Sequence, residues 1–151
     1  MITEYEITLA DLADAASISI LSREAIEYGL AWRWTERRVM RCIRDETTNV
    51  VVVRRAGGVV GFAIMKYGDE EAHIVLFAVR AADRRIGLGA ALLSWLEATA
   101  RVAGIRSIRL EARAGNLAAR SFYSRQGFED SGLSAGYYEG MEDAVRLVKT
   151  L

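Results

Sequence analysis

The segment His73-Ile74-Val75-Leu76-Phe77-Ala78-Val79, followed by Arg84-Arg85-Ile86-Gly87-Leu88-Gly89-Ala90, decides the fold. The first seven residues are almost wholly apolar, so they are expected at the centre of a sheet with both faces covered. Downstream, Leu88, Leu92, Trp95, Leu96, Thr99 and Val102 recur at helical spacing until Gly104. Strand, glycine loop and helix together make a phosphate cradle. Glycines let backbone amides approach an anion, and the helix start adds unpaired N–H groups and a positive dipole end. Arg84 and Arg85 bring charge to the same place. A tight turn without a ligand is an equally open reading of a bare Gly-x-Gly. A Walker A loop would need Gly-Lys-Ser/Thr, which the sequence lacks. A dinucleotide fingerprint would need glycine where Leu92 stands and would follow the first strand, whereas this loop is mid-chain.

Upstream, residues 49–54 and 59–67 are β-branched runs around Ala56-Gly57-Gly58, a hairpin signature. Tyr5 and Ile7 alternate with Glu4 and Glu6, so residues 4–8 read as a short strand. Thr8-x-x-Asp11 resembles a capping box, with Ile18, Leu21, Ala25 and Tyr28 at helical spacing up to Gly29. Thr35 is expected to cap a second helix through Val39, Cys42 and Ile43. After Gly104, residues 107–112 read as a strand, 117–126 as a helix, and 128–133 and 143–149 as two closing strands. The order is β-α-α-β-β-β-α-β-α-β-β, an α/β chain with a mixed sheet.

The 151 residues suit one domain, 1–151, with 52% hydrophobic and 26% charged residues as in ordinary globular proteins. Twenty basic and 20 acidic residues balance, so no global field favours nucleic acid or an anionic membrane. One cysteine, Cys42, and one histidine, His73, argue against a disulfide or a metal site. No apolar run is of membrane-spanning length, and residues 1–4 lack the features of a signal peptide. A cytoplasmic location, as monomer or homodimer, is the expectation.

Several motifs resemble those of the GCN5-related N-acetyltransferases (GNAT). They are Phe77-Ala78-Val79, Arg84-x-x-Gly87-x-Gly89-Ala90, Asn116, and Phe122-Tyr123-x-x-x-Gly127-Phe128. The resemblance runs from about Val59 to the end of the chain. Leu110-Glu111-Ala112-Arg113-Ala114-Gly115-Asn116, Tyr137-Tyr138 and Glu142-Asp143-Ala144 are most similar to the RimI-like ribosomal-protein alanine N-acetyltransferases. That branch usually has LEVRASN and NYY where this chain has LEARAGN and Gly136-Tyr137-Tyr138.

The resemblance implies a GNAT fold, its sheet splayed between the fourth and fifth strands, with acetyl-CoA in the gap. It implies that the amides of Arg85, Ile86, Gly87, Leu88, Gly89 and Ala90 hold the pyrophosphate, and that Arg84 and Asn116 also serve the cofactor. Phe77, Ala78 and Val79 would pair with the pantetheine arm as a further strand, the Phe77 amide polarising the thioester. Glu111 would be the general base and Tyr123 the acid beside the sulfur.

Each role has a plainer competitor. Ser107, Arg109, Glu111 and Arg113 alternate with apolar residues, so Glu111 could face solvent from a half-buried strand. Tyr123 could be a core aromatic. His73, the only histidine, is the alternative base, or else a strand-end residue satisfied by a neighbour. Trp32, Trp34, Tyr137 and Tyr138 are candidates to wall the acceptor site, with Trp34 otherwise a staple for the second helix. The leading expectation is acetyl transfer to the N-terminal α-amino group of a protein or peptide. The alternatives are a small free amine (polyamine, amino acid or aminoglycoside) and a non-catalytic acyl-CoA-binding module.

Overall fold

The computed structural model describes residues 4–151. The absence of a leader read from residues 1–4 therefore lies largely outside the described residues. Among those described, the elements are β1 (Glu6–Leu9), α1 (Ala15–Ala25), α2 (Glu36–Arg44), β2 (Thr48–Arg55), β3 (Gly58–Tyr67), β4 (Glu71–Val79), α3 (Leu88–Val102), β5 (Ser107–Arg113), α4 (Leu117–Arg125), β6 (Glu129–Tyr138) and β7 (Glu142–Thr150). This is the order expected from the sequence. The strands lie as β1-β2-β3-β4-β5-β7-β6, antiparallel except for the parallel β4–β5 pair. None of these helices is long and apolar enough to cross a membrane.

Two cores cover the two faces of the sheet. Leu88, Leu92, Leu93, Leu96 and Ala100 of α3 pack on one face against Val51, Ala63, Ile74 and Ile108. Ile18 and Leu21 of α1 and Val39 and Cys42 of α2 pack on the other, against Val50, Phe62, Ile64 and Leu76. Valines 50–53 are all buried because alternate residues feed opposite cores. The β2–β3 hairpin turns on Ala56 (φ 53) and Gly57 (φ 80), the two positive angles that match a hairpin to the right-handed twist of its strands.

Several boundaries shift from the sequence reading. The first strand ends at Leu9 and takes in Thr8, so the capping box falls three residues later. The Asp11 side chain accepts from the Ala13 amide, and the Asp11 amide donates to Asp14 Oδ2 at 2.9 Å. Tyr28 lies beyond α1 and is exposed, because the chain must turn there to reach α2. On α3 the buried stripe follows Leu92, Leu93, Leu96 and Ala100, leaving Val102 91% exposed and Trp95 and Thr99 half-buried. Residues 134–138, expected in a loop, continue β6, because β7 offers them an antiparallel partner.

The expected splay is present. β4 and β5 pair only from Glu71↔Ser107 to Ile74↔Leu110, while β4 follows β3 to Val79 and β5 follows β7 to Arg113. A bulge skips Val75, since Met65 faces Ile74 and Ile64 faces Leu76. It flips the parity of β4: Ala72 and Ile74 join the α3-side core before it, Phe77 and Val79 after it. Bulges add local twist, and this one sits where the strands part.

Candidate active site

Beyond the bulge, β4 presents one unpaired edge. The Arg80 amide donates across to Val60 O of β3 at 2.7 Å. By strand alternation Ala78 shares that edge, so Phe77 and Val79 turn their N–H and C=O groups into the gap toward β5. Arg84 Nε donates to the gap-facing Val79 O at 2.9 Å and ties the loop back to the strand. The loop is anchored by Asp83, which is 3% exposed and accepts from Arg55 Nη1 at 2.6 Å and Arg80 Nε at 2.7 Å.

Left-handed conformations at Arg85 (φ 66) and Gly87 (φ 85) turn the loop, and Gly87 caps α3 without a side chain. The first-turn amides of α3 are thus left for an external acceptor. Gly89 serves a different need. A Cβ there would stand 3.2 Å from Phe122 Cζ, so this glycine lets α4 approach α3.

At the mouth of the splay lies a cavity of about 480 Å³. Its walls come from the segment after α1 (Leu30, Ala31, Trp34), β4 (Val75, Phe77), α4 (Tyr123) and β6 (Tyr137, Tyr138). Glu111 projects into it, its side chain only 6% exposed. The carboxylate and the imidazole of His73 meet at 2.6 Å (Oε1 to Nε2), the Tyr137 hydroxyl donates to the same oxygen at 3.3 Å, and Arg109 Nη1 stands 3.8 Å from Oε2. Burial is the largest influence on this carboxyl and pushes it up. The hydrogen bond and charge of His73, the charge of Arg109 and the Tyr137 hydroxyl together outweigh burial and hold it below the ordinary glutamate value. His73 does not line this cavity; it opens on a second depression with Asp69, Glu70, Glu71 and Arg109. The two candidate bases are therefore partners, Glu111 facing the cavity and His73 behind it.

Tyr123 is buried at the cavity wall, its ring centroid 5.9 Å from that of Phe77 and 5.7 Å from that of Phe128. Burial, with Tyr138 adding to it, holds its hydroxyl well above the ordinary tyrosine value, so it stays a donor. Asn116 opens α4: its Oδ1 accepts the Ala119 amide at 3.1 Å as the N-cap of that helix. Trp34 does line the cavity and also packs in the core with Val39, in the positions of a helix staple. Trp32 is not among the cavity residues; it is 44% exposed, with the Arg23 guanidinium 5.1 Å over its ring. Sequence reasoning also passed over Glu27 and Arg109. Buried Glu27 accepts from Ser22 Oγ and from the amides of Arg33 and Trp34, holding the cavity wall in shape. Arg109 was legible as the charged neighbour two residues before Glu111 on the same strand face.

Residues 9–128 match the family model of the acetyltransferase (GNAT) family. The chain belongs to that family. As a GNAT enzyme it is an N-acetyltransferase that takes its acetyl group from acetyl-CoA, which sets aside a purely binding module. An uncharacterised N-acetyltransferase of Methanocaldococcus jannaschii is 39% identical over 94 residues, 62% of this chain and 60% of that protein's own length. The [ribosomal protein bS18]-alanine N-acetyltransferase of Escherichia coli K12 is 31% identical over 118 residues, 76% of this chain and 79% of that one. Among solved structures, Ard1 of Thermoplasma volcanium superposes with a TM-score of 0.86 at 29% identity, covering 97% of each chain.

Proposed function

We propose that this GNAT enzyme, with residues 1–151 as one catalytic domain, acetylates the N-terminal α-amino group of a protein or peptide. The observation that carries this reading is the Glu111–His73 pair, 2.6 Å apart at the wall of the cavity. The acceptor nitrogen approaches Glu111, gives up a proton to it, and attacks the thioester carbon. The C–S bond breaks, CoA leaves as the thiolate, and the proton that the attacking nitrogen must still shed to become an amide passes to that thiolate by way of Tyr123. The Phe77 amide, turned into the gap, donates to the developing oxyanion, a contribution of about 3 kcal/mol. Tyr123 donates to the departing sulfur; the burial that raises its hydroxyl raises a thiolate in the same cleft too. The open amides from Arg85 to Ala90 accommodate the pyrophosphate.

Whatever base takes the proton, an α-amine gives it up more readily than an alkylamine. An α-amino group has a reference pKa of about 7.7–8.0 against about 10.4 for a lysine-type amine, so its deprotonation by a weak base is easier by roughly 3 kcal/mol. The E. coli relative, named as an alanine N-acetyltransferase of a ribosomal protein, supports the same acceptor class. The test is a panel of peptides with free N-termini, N-blocked lysine peptides and polyamines, followed by CoA release. Free α-amines are expected to lead in kcat/KM by about 100-fold or more. Equal or faster turnover of polyamines or blocked peptides would overturn the reading.

A further inference from the structure

Arg113 lies two residues beyond Glu111 on the same face of β5 and is only 9% exposed. Its guanidinium lies behind the acceptor cavity, between Tyr138 of one wall and Tyr28, the neighbour in sequence of the wall residue Glu27. Nη2 donates to Tyr28 O at 2.7 Å, the group sits 3.9 Å over the Tyr28 ring and 5.5 Å over the Tyr138 ring, and Nη1 stands 3.7 Å from Glu142 Oε1. Nε is buried without a partner among the described residues. A buried guanidinium with an unpaired N–H is costly, so filling space does not explain an arginine where a leucine or methionine would pack. Its contacts do explain it. They join the segment after α1 to the β6–β7 hairpin through a β5 residue that lies 85 positions from Tyr28 in the chain.

We propose that Arg113 is the positioning residue of the acceptor site: it fixes the spacing between its two walls. The contact reaches the base as well. Tyr138 stands edge-on to Tyr137, with centroids 4.9 Å apart at 83°, and the Tyr137 hydroxyl donates to Glu111. Arginine suits the role because its plane stacks on the Tyr28 ring, within cation–π reach of Tyr138, while its fork donates sideways; lysine, a point charge on a flexible stem, cannot combine the two.

This inference rests on the peptide-acceptor reading above, and the test separates the two. Arg113→Lys is expected to raise the KM of a peptide acceptor about tenfold or more while the acetyl-CoA KM stays within about twofold. Amide hydrogen exchange over residues 27–33 should quicken while that of β2, β3 and α3 is unchanged. Tyr28→Leu keeps the carbonyl but loses the stacked ring, and should raise the acceptor KM in the same direction by less; it carries the test if Arg113→Lys fails to fold. An unchanged acceptor KM, or a parallel rise of both KM values with a lowered Tm, would overturn the role. If the wild type acetylates no peptide, the acceptor reading falls, and the exchange over 27–33 alone decides for or against Arg113.

Discussion

Burial raises the Glu111 carboxyl, and three neighbours pull it down by more than burial lifts it. His73 is foremost among the three, by hydrogen bond and by charge, with Arg109 and Tyr137 behind it. Removing the imidazole leaves burial less opposed, so the carboxyl must titrate higher. His73→Ala is therefore expected to move the acidic limb of the kcat/KM profile to higher pH, with a smaller loss of maximal rate than Glu111→Gln. The latter should lower kcat by about 10²–10⁴-fold, the usual worth of a positioned base. A limb that stays in place in His73→Ala would show that the 2.6 Å contact has no bearing on catalysis.

The two loop glycines differ at the level of elements. Gly87 holds a positive φ in open space, whereas Gly89 has an ordinary backbone but no room, with Phe122 of α4 against it. Gly89→Leu should overpack the α3–α4 contact and destabilise the fold by about 1–3 kcal/mol. Gly87→Asn, whose side chain tolerates the left-handed region, should cost less than about 1 kcal/mol. Denaturant midpoints compare the two, and a larger loss at Gly87 would contradict this division. The spacing of the motif showed both glycines, but not which need each one meets. That depends on α4, brought alongside by the β5–α4 connection.

Acid stability belongs to the whole molecule. Asp14 is lowered first by its paired hydrogen bonds from Arg54, at 2.8 and 2.6 Å, against an opposing effect of burial. At Asp83 burial is the largest influence and raises the carboxyl, but Arg80 and Arg55 outweigh it. With Glu111, all three carboxyls titrate lower folded than unfolded. Their stabilisation is complete above the unfolded values of 3.8 and 4.5 and is lost as pH falls through the lower folded values. The thermal midpoint should hold above about pH 5 and fall steadily below about pH 4. A midpoint that instead dropped between pH 5 and 7 would mean that other groups govern stability.

The sequence by itself determined the elements, because their signals are local. Four consecutive valines and a tight turn make the hairpin, a 3.6-residue stripe makes α3, and an unbroken apolar run makes the central strand. The motif resemblance also pointed to the fold and to the acetyl donor. Tertiary structure decided what crosses between elements. His73 and Glu111 are 38 residues apart and looked like rivals; the parallel β4–β5 register, with His73 beside Arg109, joins them instead. The bulge at Val75 decided which face Phe77 takes, and the packing of the segment after α1 left Trp32 outside the cavity and brought Tyr28 against Arg113. Periodicity records which face of an element is apolar, but register and cleft depend on how separate elements meet, which no local pattern encodes.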